Sequence, residues 1–90
     1  MELVVNYIMT HGTRKNPVSN KEISSQLHIT EVTIRQHINK ARCKGIPICS
    51  CQSGYWYSEE KSDILETIDS LMHRTISVEK AISGLLTTLR

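Results

Sequence analysis

Apolar residues recur at helical spacing in three short segments in the first half of the chain. A first helix is predicted over residues 2–10, where four apolar side chains share one face: Leu3, Val4, Tyr7 and Ile8. A polar loop follows this segment, and Pro17 within the loop prevents the helix from continuing. The pattern therefore predicts a short first helix that packs through one face.

The second segment opens with a signal for the start of a helix. Ser19 and Glu22 have the Ser-x-x-Glu spacing of a capping box, in which the hydroxyl and the carboxylate each satisfy a free backbone N–H group. Ile23 and Leu27 supply the buried side of the helix that begins there. This second helix is predicted to be short, because Thr30 offers a new N-cap soon after Leu27.

The third segment is a helix with a narrow apolar stripe. The stripe consists of Ile34, Ile38 and Ala41. Gly45 is placed to end this helix, because glycine readily adopts the left-handed conformation that follows helices. Ile29 lies between the second and third helices and is predicted to fill the corner where they meet.

A β-hairpin is predicted after the third helix. Two β-rich runs, residues 46–51 and 55–58, flank a glycine-containing turn. Alternation places Tyr55 and Tyr57 on one face and Trp56 on the other, where Trp56 packs against the C-terminal helix or lies in a dimer contact. The order of these elements is that of a winged helix-turn-helix. We therefore predict a mainly α fold with a small β-hairpin wing.

The last third of the chain shows the spacing of a coiled coil. Seven apolar residues on one seam are predicted to form an oligomer contact: Ile64, Ile68, Leu71, Val78, Ile82, Leu85 and Leu89. A helix from about residue 59 to residue 89 would be roughly 45 Å long, too long to pack on so small a core throughout. The same helix of a second copy, in a homodimer or higher oligomer, is the simplest way to bury this apolar surface. The alternative is a break near Ser77 that lets both halves fold back.

Two units follow from these patterns: a winged helix-turn-helix domain over residues 1–58 and a C-terminal oligomerisation helix over residues 59–90. The formal net charge of +2 divides unevenly along the chain. Residues 14–57 carry seven Lys or Arg side chains against two acidic ones, whereas the remainder carries four against seven. A basic module of this kind suits an anionic partner, with a solvated charged surface as the alternative.

The cysteines indicate a reducing compartment. An odd number, three, occurs without a signal-peptide pattern, and no apolar run is long enough to span a membrane, so a cytoplasmic protein is expected. Cys43, Cys49 and Cys51 lack the spacing of common zinc sites, which leaves buried thiols as the favoured interpretation and thiol sensing as an open one. We expect no metal, no cofactor and, since no catalytic motif occurs, no enzyme activity.

The third helix carries the candidate chemistry on its outward face. Arg pairs with guanine, Gln and Asn pair with adenine, and Thr contacts the thymine methyl group. The predicted base-reading residues are Thr33, Arg35, Gln36, Asn39 and Lys40. Cationic and helix-start residues would contact phosphates without reading sequence. The predicted phosphate contacts are Ser19, Asn20, Lys21, Thr30, Arg42, Lys44, Arg14 and Lys15.

Residues 3–58 resemble the N-terminal winged-helix domain of biotin-protein ligase/repressor proteins and related type 11 helix-turn-helix regulators. The resemblance rests on the small polar N-cap, Ile34, His37-Ile38, Arg42, Gly45 and the closing Gly54-Tyr55 of the wing. It implies that the third helix recognises operator DNA, through Thr33, Arg35, Gln36 and Lys40. The ligase catalytic domain has no counterpart after Ser58, so neither biotin nor ATP is implied.

Two classes of function fit the sequence. The first is a sequence-specific regulator of double-stranded DNA, of phage, plasmid or bacterial type, which acts as a repressor or as an activator. Its dimer would place two third helices in successive major grooves. The second is a protein-interaction adaptor or an antagonist of a host protein, in which the C-terminal helix binds another protein. A monomer that does not bind DNA would favour the second class.

Overall fold

The structure, a computed structural model, describes residues 2–88 and consists of four helices and one hairpin within that range. The elements are α1 (Glu2–His11), α2 (Asn20–Leu27), α3 (Glu31–Cys43), β1 (Ile48–Cys51), β2 (Gly54–Tyr57) and α4 (Lys61–Thr87). This order confirms the predicted fold class, a mainly α winged helix-turn-helix followed by a long C-terminal helix.

Side-chain caps set the starts of α2 and α3 as predicted. The Ser19 hydroxyl accepts a hydrogen bond from the Glu22 backbone N–H at 3.0 Å, and the Thr30 hydroxyl accepts one from the Thr33 N–H at 3.2 Å. Only the hydroxyl half of the predicted capping box forms, because the Glu22 carboxylate accepts its hydrogen bond from the Tyr7 hydroxyl at 2.8 Å, which links α1 to α2. Gly45, at φ +87°, follows the end of α3.

The hydrophobic core lies between α1, α2, α3 and the wing. Its buried members are Val4, Val5, Ile8, Val18, Ile23, Ile34, Ile38, Ala41 and Ile48. Tyr55 and Tyr57, which share one face of the hairpin, pack partly buried against this cluster. The predicted stripe of α3 is therefore the side of that helix that faces the core, and the opposite side faces outward.

The corner between α2 and α3 is fixed by three neighbouring residues. His28 adopts the left-handed conformation at φ 56° and caps the end of α2 through its N–H group. The Ser24 hydroxyl donates a hydrogen bond to the Ile29 carbonyl at 2.6 Å. Ile29 packs partly buried against the core, so it fills the corner as predicted.

The wing is pinned to the start of α2 by a backbone bridge. Val18 and Tyr55 exchange two N–H···O hydrogen bonds, at 2.9 and 2.8 Å. Gly54, at φ +148°, passes so close to this bridge that a Cβ atom there would lie 2.3 Å from the Val18 carbonyl oxygen. The turn at Gln52 and Ser53 is consequently held beside the first turn of α2.

α4 is one continuous helix through position 77, as the favoured interpretation predicts, and the alternative of a break near Ser77 is wrong. Its first half docks on β1, where Thr67 accepts a hydrogen bond from the Ser50 N–H at 3.2 Å. Its second half extends away from the winged domain, and the molecule reaches 51 Å along its longest axis. Leu89 of the predicted seam lies outside the described residues.

The start of α4 is anchored by a buried carboxylate. Asp63 is 4% exposed and accepts hydrogen bonds from the Trp56 indole at 3.2 Å and from the Ser58 hydroxyl at 2.7 Å, while Arg14 forms an ion pair with it. Trp56 therefore packs against the C-terminal helix, one of its two predicted positions. Across residues 2–88, no helix combines the length and the apolar character needed to cross a membrane.

Candidate nucleic-acid interface

The outward face of α3 displays polar side chains that the fold leaves free. Arg35, Gln36, Asn39 and Lys40 are all exposed. Within residues 2–88, none of these four side chains is held by a hydrogen bond or an ion pair. Each can therefore reach outward without first breaking an internal contact.

Thr33 differs from the other predicted base-reading residues. It is half-buried, and its hydroxyl accepts a hydrogen bond from the Thr30 hydroxyl at 2.8 Å within the N-cap of α3. Its methyl group, rather than its hydroxyl, is the part that can contact a base. Val32, which is exposed on the first turn of α3, offers a further apolar contact of the same kind.

The start of α2 lies beside α3 and carries three of the predicted phosphate contacts. Ser19 forms the N-cap, and Lys21 is exposed on the first turn. The Asn20 amide donates to the Glu31 carboxylate at 3.4 Å, which couples the first turns of α2 and α3. The first N–H groups of a helix carry partial positive charge, so this end of α2 suits an anion.

Arg42 is held in place by the wing. Its Nε donates to the Ile48 carbonyl at 2.9 Å and its Nη2 to the Ser50 hydroxyl at 3.1 Å. Burial lowers the pKa of this guanidinium, and the nearby positive charge of Arg74 lowers it further. Arg42 is thus a half-buried cation that joins the end of α3 to β1.

Arg14 is engaged by α4. It forms an ion pair with the buried Asp63 and lies 3.4 Å from the Glu66 carboxylate. Lys15, the next residue, is exposed in the same loop, and Lys44 is exposed at the end of α3. Among the predicted cationic phosphate contacts, Arg14 is thus paired with α4, Arg42 is held by the wing, and the three lysines are exposed.

The predicted oligomer seam also divides in two. Ile64 and Leu71 are half-buried beside an apolar groove of about 340 Å³ between α4 and β1. Ile68 lines the same groove but is 45% exposed. Beyond Arg74, the apolar side chains of α4 are open to solvent, as Val78, Ile82 and Leu85 show with exposures of 54%, 52% and 68%. Of the eleven large apolar side chains that are exposed in the described part of the chain, eight lie on α4.

The three thiols lie in different environments. Cys49 is buried and Cys43 and Cys51 are exposed, all as free thiols. Burial raises the pKa of the Cys49 thiol. In the described residues, no group of three or more His, Cys, Asp or Glu side chains is arranged to hold a metal ion.

The geometry of α2, α3 and the wing agrees with a match to a protein family. The model of the type 11 helix-turn-helix family, described as an HTH domain, matches residues 7–55, more than half of the 90 residues. The chain belongs to this helix-turn-helix family. No curated protein and no solved structure matches it.

Membership in the helix-turn-helix family gives the general function. Domains of this family bind DNA and are not enzymatic, so at the general level the chain is a DNA-binding regulator. The match ends at residue 55 and leaves α4 outside the family's domain. The sequence analysis assigned no function to Asp63 or Arg74 of α4. The contacts of these two residues depend on how α4 docks on the winged domain.

Proposed function

We propose that the protein is a sequence-specific regulator of double-stranded DNA that inserts α3 into the major groove. The observation that carries this proposal is the outward face of α3, where Arg35, Gln36, Asn39 and Lys40 are exposed and free above a buried apolar stripe. In helix-turn-helix proteins the second helix of the motif reads base edges. Such a regulator acts in the cytoplasm of a bacterial host, as a repressor or in another regulatory role.

Phosphate contacts on either side of α3 would set its register in the groove. Ser19, Asn20 and Lys21 at the start of α2 and Thr30 at the start of α3 offer N–H groups and one cation. The exposed Lys15 and Lys44 extend this basic surface. Arg14 is paired with the buried Asp63, so we assign it a supporting role. Arg42 is held by the wing and presents a fixed charge beside the start of α2.

We further propose that a second copy of the chain covers the part of α4 beyond Arg74, which we call the free half of α4. Val78, Ile82 and Leu85 are exposed there at the alternating spacing of four and three that two helices need to pack along a seam. Since α4 projects beyond its own winged domain, no other described element covers this surface. A symmetric dimer would present two α3 helices to a symmetric DNA site, with half-sites about 34 Å apart.

Selection of bound sequences from a random DNA pool, followed by titration of the selected site and a scrambled one, tests the DNA proposal. Arg35→Ala should weaken binding to the selected site by about tenfold to a hundredfold, as expected for one bidentate base contact, with little change on scrambled DNA. Lys21→Ala should weaken both, because a phosphate contact carries no sequence information. Lys61→Ala, on the exposed start of α4, removes the same charge as a control.

Equal losses on the selected and scrambled sites for Arg35→Ala would contradict its role as a base reader.

The adaptor or antagonist function draws support from the apolar groove beside β1, which a partner helix could enter. A monomer by light scattering that gives no mobility shift at low salt would favour that function over the DNA-binding one.

A further inference from the structure

A second groove, of about 290 Å³, lies between the start of α2, the turn of the wing and the middle of α4. We call it the basic groove, because three cationic side chains from three different helices line it: Lys21, Arg42 and Arg74. Among the described residues no carboxylate lines it, and Ser19, Ser50 and Ser53 add hydroxyl groups. A concave surface that gathers three positive charges without an acidic side chain attracts anions.

Arg74 is a residue of the basic groove whose side chain has no structural role in the described part of the winged domain or of its own helix. Its side chain is exposed, and no hydrogen bond or ion pair to another residue in the range 2–88 engages it. It lies near enough to Arg42 for its charge to contribute to lowering the pKa of that residue, after the effect of burial. Two guanidinium groups that face one space repel each other until an anion comes between them.

Arg42 contributes a fixed charge to the same groove. The wing holds its guanidinium through the Ile48 carbonyl and the Ser50 hydroxyl, so its orientation is set before any ligand arrives. Arg74 and Lys21 line the same groove as exposed side chains that can move toward a ligand. Guanidinium groups match the geometry of phosphate oxygens and bind them through two parallel hydrogen bonds.

We propose that the basic groove binds a phosphate group, held between Arg74 of α4, Arg42 of α3 and Lys21 of α2. Two sources carry this chemistry: a backbone phosphate of the DNA that α3 reads, and a free phosphate or phosphorylated small molecule. The first source rests on the proposed function and the second does not. In either case Arg74 lies outside the matched helix-turn-helix domain and ties α4 to the ligand.

An NMR titration of the full chain with inorganic phosphate, at constant ionic strength maintained with chloride, tests the free-ligand source. The amide signals of Lys21 and Ser53 and the side-chain Nε signals of Arg42 and Arg74 should shift together and saturate. Arg74→Gln should abolish this saturation. Lys80→Gln removes the same charge from an exposed position farther along α4 and should leave it unchanged.

The dependence of DNA binding on salt tests the other source. If the groove holds a backbone phosphate, Arg74→Gln should reduce the slope of log K against log salt by about one, and Lys80→Gln should not. Unchanged Trp56 fluorescence and circular dichroism in both variants would show that their fold is intact. A change of slope without saturation by free phosphate assigns the groove to DNA, and saturation without a change of slope assigns it to a small molecule.

Two results separate this inference from the proposed function. If neither measurement responds to Arg74→Gln while Arg35→Ala still reduces specific DNA binding, the phosphate site is wrong and the DNA-binding function stands. If the chain does not bind DNA but free phosphate saturates the groove, the function is wrong and the site stands.

Discussion

The indole Nε1 of Trp56 donates a hydrogen bond to the Asp63 carboxylate at 3.2 Å, and this contact joins the wing to the first turn of α4. The same carboxylate accepts a hydrogen bond from Ser58 and pairs with Arg14. A carboxylate with so little exposure remains charged because three donors replace its water. This polar cluster therefore helps to set the direction in which α4 leaves the winged domain, together with the docking of α4 on β1.

Replacing Asp63 should release the start of α4. In Asp63→Ala the Trp56 N–H, the Ser58 hydroxyl and the Arg14 guanidinium lose a common partner, and buried unpaired donors are costly. We expect a lower urea midpoint and a red-shifted emission from Trp56, the single tryptophan. Asp69→Ala, which removes an exposed carboxylate from the same helix, is the control. Equal effects of the two substitutions would show that the polar cluster does not anchor α4.

The same cluster should make stability sensitive to acid. The hydrogen bond from Ser58, with those from Trp56 and Arg14 and the Arg14 charge, holds the pKa of Asp63 below its ordinary range, although burial opposes this shift. The unfolded chain therefore binds a proton at this group before the folded chain does. The stabilisation is present above about pH 4 and is lost as the pH falls through the lower folded value.

Urea unfolding of the wild type and Asp63→Ala, measured between pH 5 and pH 2, separates this contribution from those of other carboxylates. The free energy of unfolding of the wild type should fall more steeply with acid than that of the variant. Parallel curves would mean that Asp63 titrates alike in the folded and unfolded chains.

Local signals in the sequence predicted the helix starts and the buried face of α3. The Ser19 and Thr30 caps each act on a backbone group three residues away, and the stripe of α3 follows from helical periodicity alone. By contrast, Arg14 and Asp63 are 49 residues apart in the chain. Nothing in a single sequence pairs these two residues, so Arg14 was predicted only as a phosphate contact.

In the candidate site, too, local features were predictable and contacts between distant elements were not. The outward residues of α3 were predictable, because burying Ile34 and Ile38 leaves Arg35, Gln36 and Asn39 on the other side. The basic groove was not predictable, since Arg74 reaches it only after α4 has docked on β1. Docking depends on contacts between distant elements, which periodicity does not encode.

Gly54 should tolerate no side chain, because it lies where the wing meets the start of α2. A Cβ atom there would meet the Val18 carbonyl oxygen at 2.3 Å, and the backbone at φ +148° disfavours an L side chain. Gly54→Ala should therefore break the bridge between Val18 and Tyr55 and lower the thermal midpoint. Gly84→Ala is the matched control, since nothing lies within 4 Å of its Cβ position.

The two alanine substitutions should have opposite signs. Gly84 lies inside α4, where alanine favours the helix by about 1 kcal/mol relative to glycine. Thermal unfolding by circular dichroism compares the two variants directly. A Gly54→Ala variant as stable as the wild type would show that the wing can move away from α2 at little cost.

A charge placed on the predicted seam of the free half of α4 should prevent oligomerisation, whereas the same charge off the seam should not. Ile82 lies on the predicted seam and is 52% exposed, so Ile82→Asp would place a carboxylate in the apolar contact between two copies. Ser83→Asp adds the same charge at the neighbouring exposed position, off the seam. Light scattering at increasing protein concentration should give a monomer for Ile82→Asp and a dimer or larger oligomer for both Ser83→Asp and the wild type.

The positions of Ile82 and Ser83 allow the effect on oligomerisation to be measured without disturbing the winged domain. Both positions lie beyond Arg74, the last residue of α4 that lines either groove, so neither substitution should alter the winged domain or Trp56 fluorescence. If dimerisation brings two α3 helices onto one symmetric site, Ile82→Asp should also weaken binding to a full site while leaving binding to a half-site unchanged. Oligomers that persist in Ile82→Asp would place the contact elsewhere on the chain.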